Sequence, residues 1–117
     1  MKEVILYVDE NGRCQIEEYY NVYFLKNNKD CSLNREKLID YLNLLAIEGV
    51  KIGYPYVRYL GSKIWELRPL NNRILFFETD EVYVMLSAFR KETNKTPKRE
   101  ILKAKKYMND YLNRRKS

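Results

Sequence analysis

Three apolar runs in the second half of the chain are separated by very short links, and this spacing constrains the fold more than any other feature. The runs cover residues 64–70, 73–78 and 82–89, and the links between them are Asn71-Asn72 and Thr79-Asp80-Glu81. Tight turns join antiparallel neighbours, whereas parallel neighbours need a long crossover. The sequence therefore predicts an antiparallel meander of three strands in this part of the chain.

The first quarter of the chain predicts one more strand and a helix. Residues 3–8 are apolar and end at the turn signal Asp9-Glu10-Asn11-Gly12, as expected of a buried strand. Apolar residues then recur with a helical period, at Ile16, Tyr19, Tyr20, Tyr23 and Phe24. This stripe favours core packing for the three tyrosines over a role in binding.

Two further helices are predicted on either side of the meander. Ser32 is a plausible N-cap for the first, and Gly49 is placed to end it in a left-handed conformation. Thr96 and Pro97 suit the cap and the first position of the second. The apolar stripes of these two helices are Leu38, Leu42 and Leu45, and Ile101, Ala104, Met108 and Tyr111. The resulting order, β-α-α-β-β-β-α, predicts a single α+β domain over residues 1–117, built as one layer pair.

Positive charge is concentrated at one end of the sequence. Residues 1–89 carry 11 Lys and Arg against 13 Asp and Glu, whereas residues 90–117 carry 11 against 3. A one-ended positive field suits a polyanion, with RNA or DNA as the first candidate. A solvated basic helix that serves only solubility accounts for the charge equally well.

The chain contains no histidine, which excludes several kinds of active site. Ser-His triads, His-ligated zinc and histidine acid–base pairs are all ruled out, so an enzyme of this sequence must use Lys, Arg, Tyr and carboxylates. Cys14 and Cys31 lie far apart without a CxxC motif, and we expect them to be reduced and partly buried. No apolar run is long enough to cross a membrane, and the first four residues lack a signal-peptide pattern, so a cytoplasmic location is expected.

Four cationic residues stand in or beside the predicted strands, where solvated charge is unusual. Arg68 follows Glu66 and Leu67, Arg73 opens the next run, and Arg90 and Lys91 end the third. If the runs pair as a meander, these side chains can converge on one face of the sheet. Such a cluster binds phosphate through charge and through the bidentate fork of arginine.

A purely structural explanation of the same residues is favoured by spacing alone. Glu66 and Arg68 can form a salt bridge on the sheet, and Arg73 can pair with Glu78 or Asp80, since ion pairs on strand faces are common. The tyrosines near the predicted connector at residues 53–56, namely Tyr54, Tyr56 and Tyr59, are less easily buried and remain candidates for stacking on bases.

The order and spacing of several short motifs make the pattern more specific. Leu60-Gly61 precedes Glu66-Leu67-Arg68, Arg73 begins a hydrophobic strand, and residues 89–97 read Phe-Arg-Lys-Glu-Thr-Asn-Lys-Thr-Pro before a basic helix that contains Ala104. This combination resembles the phage-derived HigB-like branch of the RelE/ParE toxin superfamily, over nearly the whole chain. The resemblance implies a RelE-like fold with a mainly antiparallel four-stranded sheet, against which the helices pack.

The resemblance also implies a function, a set of residues and a set of partners. The implied activity is that of a type II toxin: a metal-independent, ribosome-dependent mRNA endoribonuclease without a cofactor. Arg68 and Arg73 would bind the scissile phosphate and Lys91 would assist charge or proton transfer. The implied partners are mRNA, the ribosome and a neighbouring antitoxin, commonly a helix-turn-helix HigA-like protein. Residues that would bind flanking RNA are Arg90, Lys95 and Lys98.

Two departures from the family pattern and two other functions bear on this interpretation. Glu92 stands where a second lysine is frequent, which reduces the positive charge, and Phe76 replaces a frequent tyrosine. The general base remains open between a tyrosinate, a lysine of lowered pKa and Glu66. A non-catalytic toxin that binds a protein such as DNA gyrase is the main alternative, and a phage-type host-interaction protein without activity is a third.

Overall fold

A computed structural model describes residues 1–115; the last two residues of the predicted domain, 116 and 117, lie outside the described residues. Within this range the chain forms five strands and three α-helices, with a short 3-10 turn at Val50–Ile52. The elements in chain order are β1 (Glu3–Leu6), α1 (Gln15–Tyr23), α2 (Lys29–Glu48), β2 (Val57–Gly61), β3 (Ile64–Leu67), β4 (Asn72–Glu78), β5 (Val82–Arg90) and α3 (Lys98–Arg115).

The sheet has the strand order β1-β5-β4-β3-β2. Strands β3, β4 and β5 pair antiparallel, which confirms the predicted meander. The predicted number of four strands is wrong, and the predicted antiparallel pairing holds for three of the four neighbouring strand pairs of the described sheet. The described sheet has a fifth strand, β2, antiparallel to β3, and β1 lies parallel to β5 at the opposite edge.

Strand β2 was not predicted from the sequence, because the turn that joins it to β3 lacks the residues typical of a hairpin turn. The β2–β3 link is the two-residue loop Ser62-Lys63, with φ of +53° and +70°. Positive φ at both positions is typical of the type I′ hairpin turn, which Asn-Gly usually fills. Since neither residue is Gly or Asn, the pattern gave no reason to expect a hairpin there.

Helices cover both faces of the sheet, so the predicted single layer pair is also wrong. The face toward α1 and α2, here the α1/α2 face, buries Ile74 and Phe76 of β4. The face toward α3, here the α3 face, buries Leu75 and Phe77. A strand buried on both faces is apolar at consecutive positions, and the run Ile-Leu-Phe-Phe in β4 has this property.

Helix boundaries differ from the predicted ones where two cap residues compete. Helix α2 begins one turn earlier than expected, because the side chain of Asn28 accepts a hydrogen bond from the Cys31 N–H at 2.8 Å and caps it. Ser32 therefore lies inside the helix. Gly49 does end α2, with φ of +78° and its N–H on the Leu45 carbonyl at 2.8 Å. The Thr96 hydroxyl bonds to other side chains and does not cap α3.

Candidate anion-binding site

The side chain of Glu66 lies at the centre of a buried polar cluster on the α3 face. It is 1% exposed, and its Oε1 accepts a hydrogen bond from Arg68 Nη1 at 2.7 Å. Its Oε2 accepts from the Thr96 hydroxyl at 2.5 Å. Arg58 and Arg73 complete a group of five residues that we call the arginine cluster. Both carboxylate oxygens are thus engaged by neighbouring donors.

Arg73 forms the deepest part of the arginine cluster. Its side chain is 7% exposed and its Nε lies 4.0 Å from Glu66 Oε1. Its Nη1 donates to the backbone carbonyls of Leu70 and Asn72 at 2.8 and 2.9 Å. Burial lowers the pKa of the Arg73 guanidinium and the nearby charge of Arg68 lowers it further, while Glu66 opposes both effects. The guanidinium is thus held firmly beneath the surface.

Arg58, which sequence reasoning missed, supplies a third guanidinium. It stands on β2 directly across from Glu66 on β3, with Nη2 at 3.5 Å from Glu66 Oε1. The same Nη2 donates to the Thr96 hydroxyl at 2.9 Å. Identifying this residue requires the β2–β3 register, which in turn requires the hairpin that the sequence did not signal.

The purely structural pairing expected from spacing is present only in part. Glu66 and Arg68 do form the salt bridge. Arg73 does not pair with Glu78, which instead binds Lys2 at 2.7 Å. One carboxylate consequently faces three guanidiniums, which leaves the arginine cluster with an excess of positive charge. Such an excess within low-dielectric surroundings attracts an anion strongly.

Lys91 follows the strand that lies beside Arg73. Its backbone N–H donates to the Asn71 carbonyl at 2.7 Å, which continues the β4–β5 ladder by one residue. Strand alternation therefore directs its half-buried side chain toward the α3 face. Lys95 is exposed on the segment that leads into α3, and Lys98, the first residue of α3, is exposed as well. Across residues 1–115, none of these three lysines forms an ion pair with a described carboxylate.

Arg90 does not join the arginine cluster, contrary to the expected convergence. Its register partner is Asn72, whose side chain bonds to Tyr19 and Asn34 on the α1/α2 face. The Arg90 guanidinium accordingly lies over the ring of Tyr23 in α1, 5.3 Å from its centroid. Cross-strand partners share a face, so Arg90 belongs to the side of the sheet opposite Arg73.

The Tyr54 ring lies against the arginine cluster. Tyr54 is 71% exposed, and the Arg68 guanidinium lies 5.0 Å from the centroid of its ring. The backbone carbonyl of Tyr56 accepts from the Arg68 N–H at 3.0 Å, but the Tyr56 ring packs on Tyr41 of α2, and the Tyr59 ring contacts Trp65 on the α1/α2 face. Tyr54 is therefore the connector tyrosine best placed to stack on a base next to a bound phosphate.

The described residues also bear on metal binding, disulfide formation and membrane spanning. Among residues 1–115, no three His, Cys, Asp or Glu side chains come together in a way that could hold a metal ion. Cys14 and Cys31 are both buried, and no disulfide joins them. None of the described helices is long and apolar enough to span a membrane.

Taken together, the mixed sheet, the helices on both its faces and the cationic cluster define a small α+β protein with a site suited to a phosphate-bearing partner. Residues 28–109 match the family model described as phage-derived protein Gp49-like (DUF891). The chain therefore belongs to the Gp49-like family, which is part of the RelE/Gp49 toxin superfamily. The family is one of toxin–antitoxin toxins, consistent with a toxin role for this chain, and it implies an antitoxin partner. No curated protein matches the chain.

Proposed function

We propose that this chain is the HigB-like toxin of a type II toxin–antitoxin system, an mRNA endoribonuclease that acts on the ribosome in the cytoplasm. The arginine cluster carries the proposal. Three guanidiniums surround one buried carboxylate, at 2.7, 3.5 and 4.0 Å, so the site retains charge for the phosphodiester of a substrate. Family membership supports the same activity, because Gp49-like toxins are generally RelE-like endoribonucleases.

The proposed reaction is an in-line attack of the RNA 2′-oxygen on the neighbouring phosphorus. The 2′-hydroxyl loses its proton, the bond from phosphorus to the 5′-oxygen breaks, and that 5′-oxygen takes up a proton. The products are a 2′,3′-cyclic phosphate and a 5′-hydroxyl. Charge builds up on the phosphoryl oxygens in the transition state, and arginines stabilise it at any physiological pH.

The arginines divide this task according to their contacts. Arg68 lies over the exposed ring of Tyr54, so it contacts the scissile phosphate directly. Arg73 has two of its donor contacts taken by backbone carbonyls, so it supports the phosphate mainly through its charge. A base that stacks on Tyr54 brings the adjoining phosphate next to Arg68.

Lys91 is the group we assign to charge or proton transfer. Glu66 is a poor general base, because it is 1% exposed and both of its oxygens already accept hydrogen bonds. Tyr7 and Tyr19 are equally unsuited, since burial raises the pKa of each and neither belongs to the arginine cluster. Lys95 and Lys98 would bind flanking phosphates, and Arg90 would meet RNA only along the opposite face.

Primer extension on a defined mRNA tests the proposal. The purified protein is mixed with the mRNA in the presence and absence of programmed ribosomes, and new 5′ ends are mapped. The proposal expects cuts in phase with codons, in the lane with ribosomes only. Intact mRNA in both lanes, from folded protein that still stops growth, would contradict it. A DNA-damage response in those cells would then indicate a gyrase-type target.

An antitoxin of the helix-turn-helix HigA-like type is the partner we expect to hold this activity in check. This expectation can be tested by measuring whether the complex still binds and cuts RNA. If the antitoxin blocks access to the site, the complex will neither cut mRNA on ribosomes nor bind short RNA.

A further inference from the structure

Arg58 is the most accessible guanidinium of the arginine cluster. Its side chain is 35% exposed, compared with 10% for Arg68 and 7% for Arg73. Arg73 is largely enclosed and Arg68 donates to Glu66 at 2.7 Å. Arg58 is 3.5 Å from the same carboxylate, a contact of charges without a hydrogen bond. Of the three, it therefore presents the most side-chain surface to a ligand.

Most donors of Arg58 have no acceptor within residues 1–115. Its described hydrogen bond runs from Nη2 to the Thr96 hydroxyl, and its buried Nε has no partner. A guanidinium carries five N–H donors in a rigid fork that matches a phosphate. Because the Arg58 side chain is 35% exposed, an anion can take its accessible donors without displacing a hydrogen bond to the described residues.

Thr96 fixes the orientation of that guanidinium. Its hydroxyl donates to Glu66 and accepts from Arg58, which links β2, β3 and the segment before α3 through a single oxygen atom. Thr96 is itself 6% exposed, and its hydroxyl is held between these two partners. Its sequence neighbours Lys95 and Lys98 are exposed, so the same link sets where the basic segment meets the cluster.

We infer that Arg58 is a third RNA-phosphate-binding residue of the site and that Thr96 is the positioning residue that aims it. This inference rests on the proposed function in one respect, namely that the ligand is single-stranded RNA. It adds a strand, β2, to the substrate-binding surface. Arg58 then holds a phosphate next to the scissile one, while Arg68 and Arg73 serve the reacting centre.

The test measures affinity for a short single-stranded RNA with 2′-O-methyl groups, which the protein can bind but cannot cleave. Arg58→Ala should weaken binding about tenfold, the value of one charge-assisted hydrogen bond, and lower the slope of log Kd against log salt by about 0.7, the share of one phosphate contact. Arg13→Ala is the matched control. Arg13 is 71% exposed and pairs with Glu18 away from the cluster, so its removal should change neither quantity.

Thr96 is tested through a pair of substitutions. Thr96→Val keeps the shape and removes the hydroxyl, and it should weaken RNA binding and lower the salt slope as Arg58→Ala does. Thr96→Ser restores the hydroxyl and should restore both. The double variant Arg58→Ala/Thr96→Val should be no weaker than Arg58→Ala alone, since Thr96 acts through Arg58. Thr93→Val is the control within the same segment, because Thr93 is exposed and bonds only to the Lys95 carbonyl.

The outcomes separate this inference from the proposed function. An unchanged salt slope in Arg58→Ala, with Arg68→Ala still weakening binding, overturns the inference and leaves the nuclease proposal standing. A Thr96→Val variant that loses stability in urea but keeps the wild-type slope overturns the positioning role. The expected binding pattern in a protein that cuts no mRNA on ribosomes supports the inference and overturns the nuclease proposal.

Discussion

The carboxylate of Glu66 organises the site at the scale of single residues. It is almost fully buried, yet it sits among three guanidiniums and a hydroxyl that between them occupy both of its oxygens. Removing the carboxylate charge leaves the buried guanidiniums without a counter-charge in a poorly solvated environment. We therefore expect Glu66 to stabilise the fold, although the three guanidiniums that it faces outnumber this one carboxylate.

Replacement of this charge gives a first prediction. Glu66→Gln should lower the free energy of unfolding by about 3–5 kcal/mol, because it leaves Arg68 and Arg73 without their buried counter-charge. Glu78→Gln is the matched control; its pair with Lys2 is partly exposed, at 36% for the Glu78 side chain, and should contribute no more than about 1 kcal/mol. Urea denaturation measures both. Equal losses in the two variants would show that the cluster does not depend on Glu66.

The sequence predicted part of this site because strand alternation alone relates Arg68 to Glu66. Arg73 followed from its place at the start of the next run. Arg58 and Thr96 could not be predicted, because one requires the register of an unsignalled hairpin and the other a choice between capping a helix and bonding to a carboxylate. The expected convergence of Arg90 with Arg68 and Arg73 was wrong for a related reason: Arg90 lies on the other face of β5 from its neighbours Phe89 and Lys91, as its pairing with Asn72 shows.

Among the secondary-structure elements, the end of helix α2 depends on a single backbone position. Gly49 ends α2 at φ +78° and ψ −172°, a region that residues other than glycine rarely adopt. A Cβ at this position would lie 3.2 Å from the Tyr83 hydroxyl. The predicted role of Gly49 as a helix terminator is thus confirmed, and the chain needs it for a steric reason as well.

Substitution at this glycine gives a second prediction. Gly49→Ala should destabilise the protein by about 1–3 kcal/mol, since it combines backbone strain with a close contact to Tyr83. Gly12→Ala should cost less; Gly12 has φ of +79°, but a Cβ there would meet no atom within 4 Å, so only the backbone conformation is penalised. The two variants are compared by thermal unfolding, with circular dichroism as the signal. A larger loss for Gly12→Ala would contradict this account.

Elements were predictable where local patterns decide them. The meander and the apolar faces of α1 and α3 followed from periodicity, and they are present in the fold. The fifth strand and the parallel placement of β1 beside β5 could not be predicted in this way, because the residue pattern of a strand does not identify the strand that pairs with it. The start of α2 was misplaced since Asn28 and Ser32 are both good caps.

Contacts between the ends of the chain stabilise the molecule as a whole. The Tyr7 hydroxyl, just after β1, donates to Asp110 of α3 at 2.6 Å, and Asp110 also pairs with Arg114 at 2.7 Å. Burial and the Asp110 carboxylate raise the pKa of Tyr7 to about 12 from its ordinary value of 10.0. The folded state therefore retains the Tyr7 proton over a range of pH in which the unfolded chain has lost it.

This shift gives a third prediction, on alkaline stability. Stability from a raised tyrosine pKa is fully present below pH 10.0 and is lost as the pH rises to about 12, because over that range only the folded state still holds the proton. The wild type should thus lose more stability across this interval than Tyr7→Phe. Tyr19 and Tyr83 also have raised pKa values, but they are common to both proteins and cancel in the comparison. Parallel pH dependences would contradict the assigned role of Tyr7.

The central proposal is that the arginine cluster binds and cuts mRNA on the ribosome. Its most direct measurement compares cleavage by wild type, Arg68→Lys and Arg13→Lys on programmed ribosomes. Lysine keeps the charge and loses the planar fork, so Arg68→Lys should cut about 10²-fold more slowly, in the range seen when one transition-state donor is lost, while Arg13→Lys should match the wild type. Equal cleavage by folded Arg68→Lys and wild type would contradict the claim.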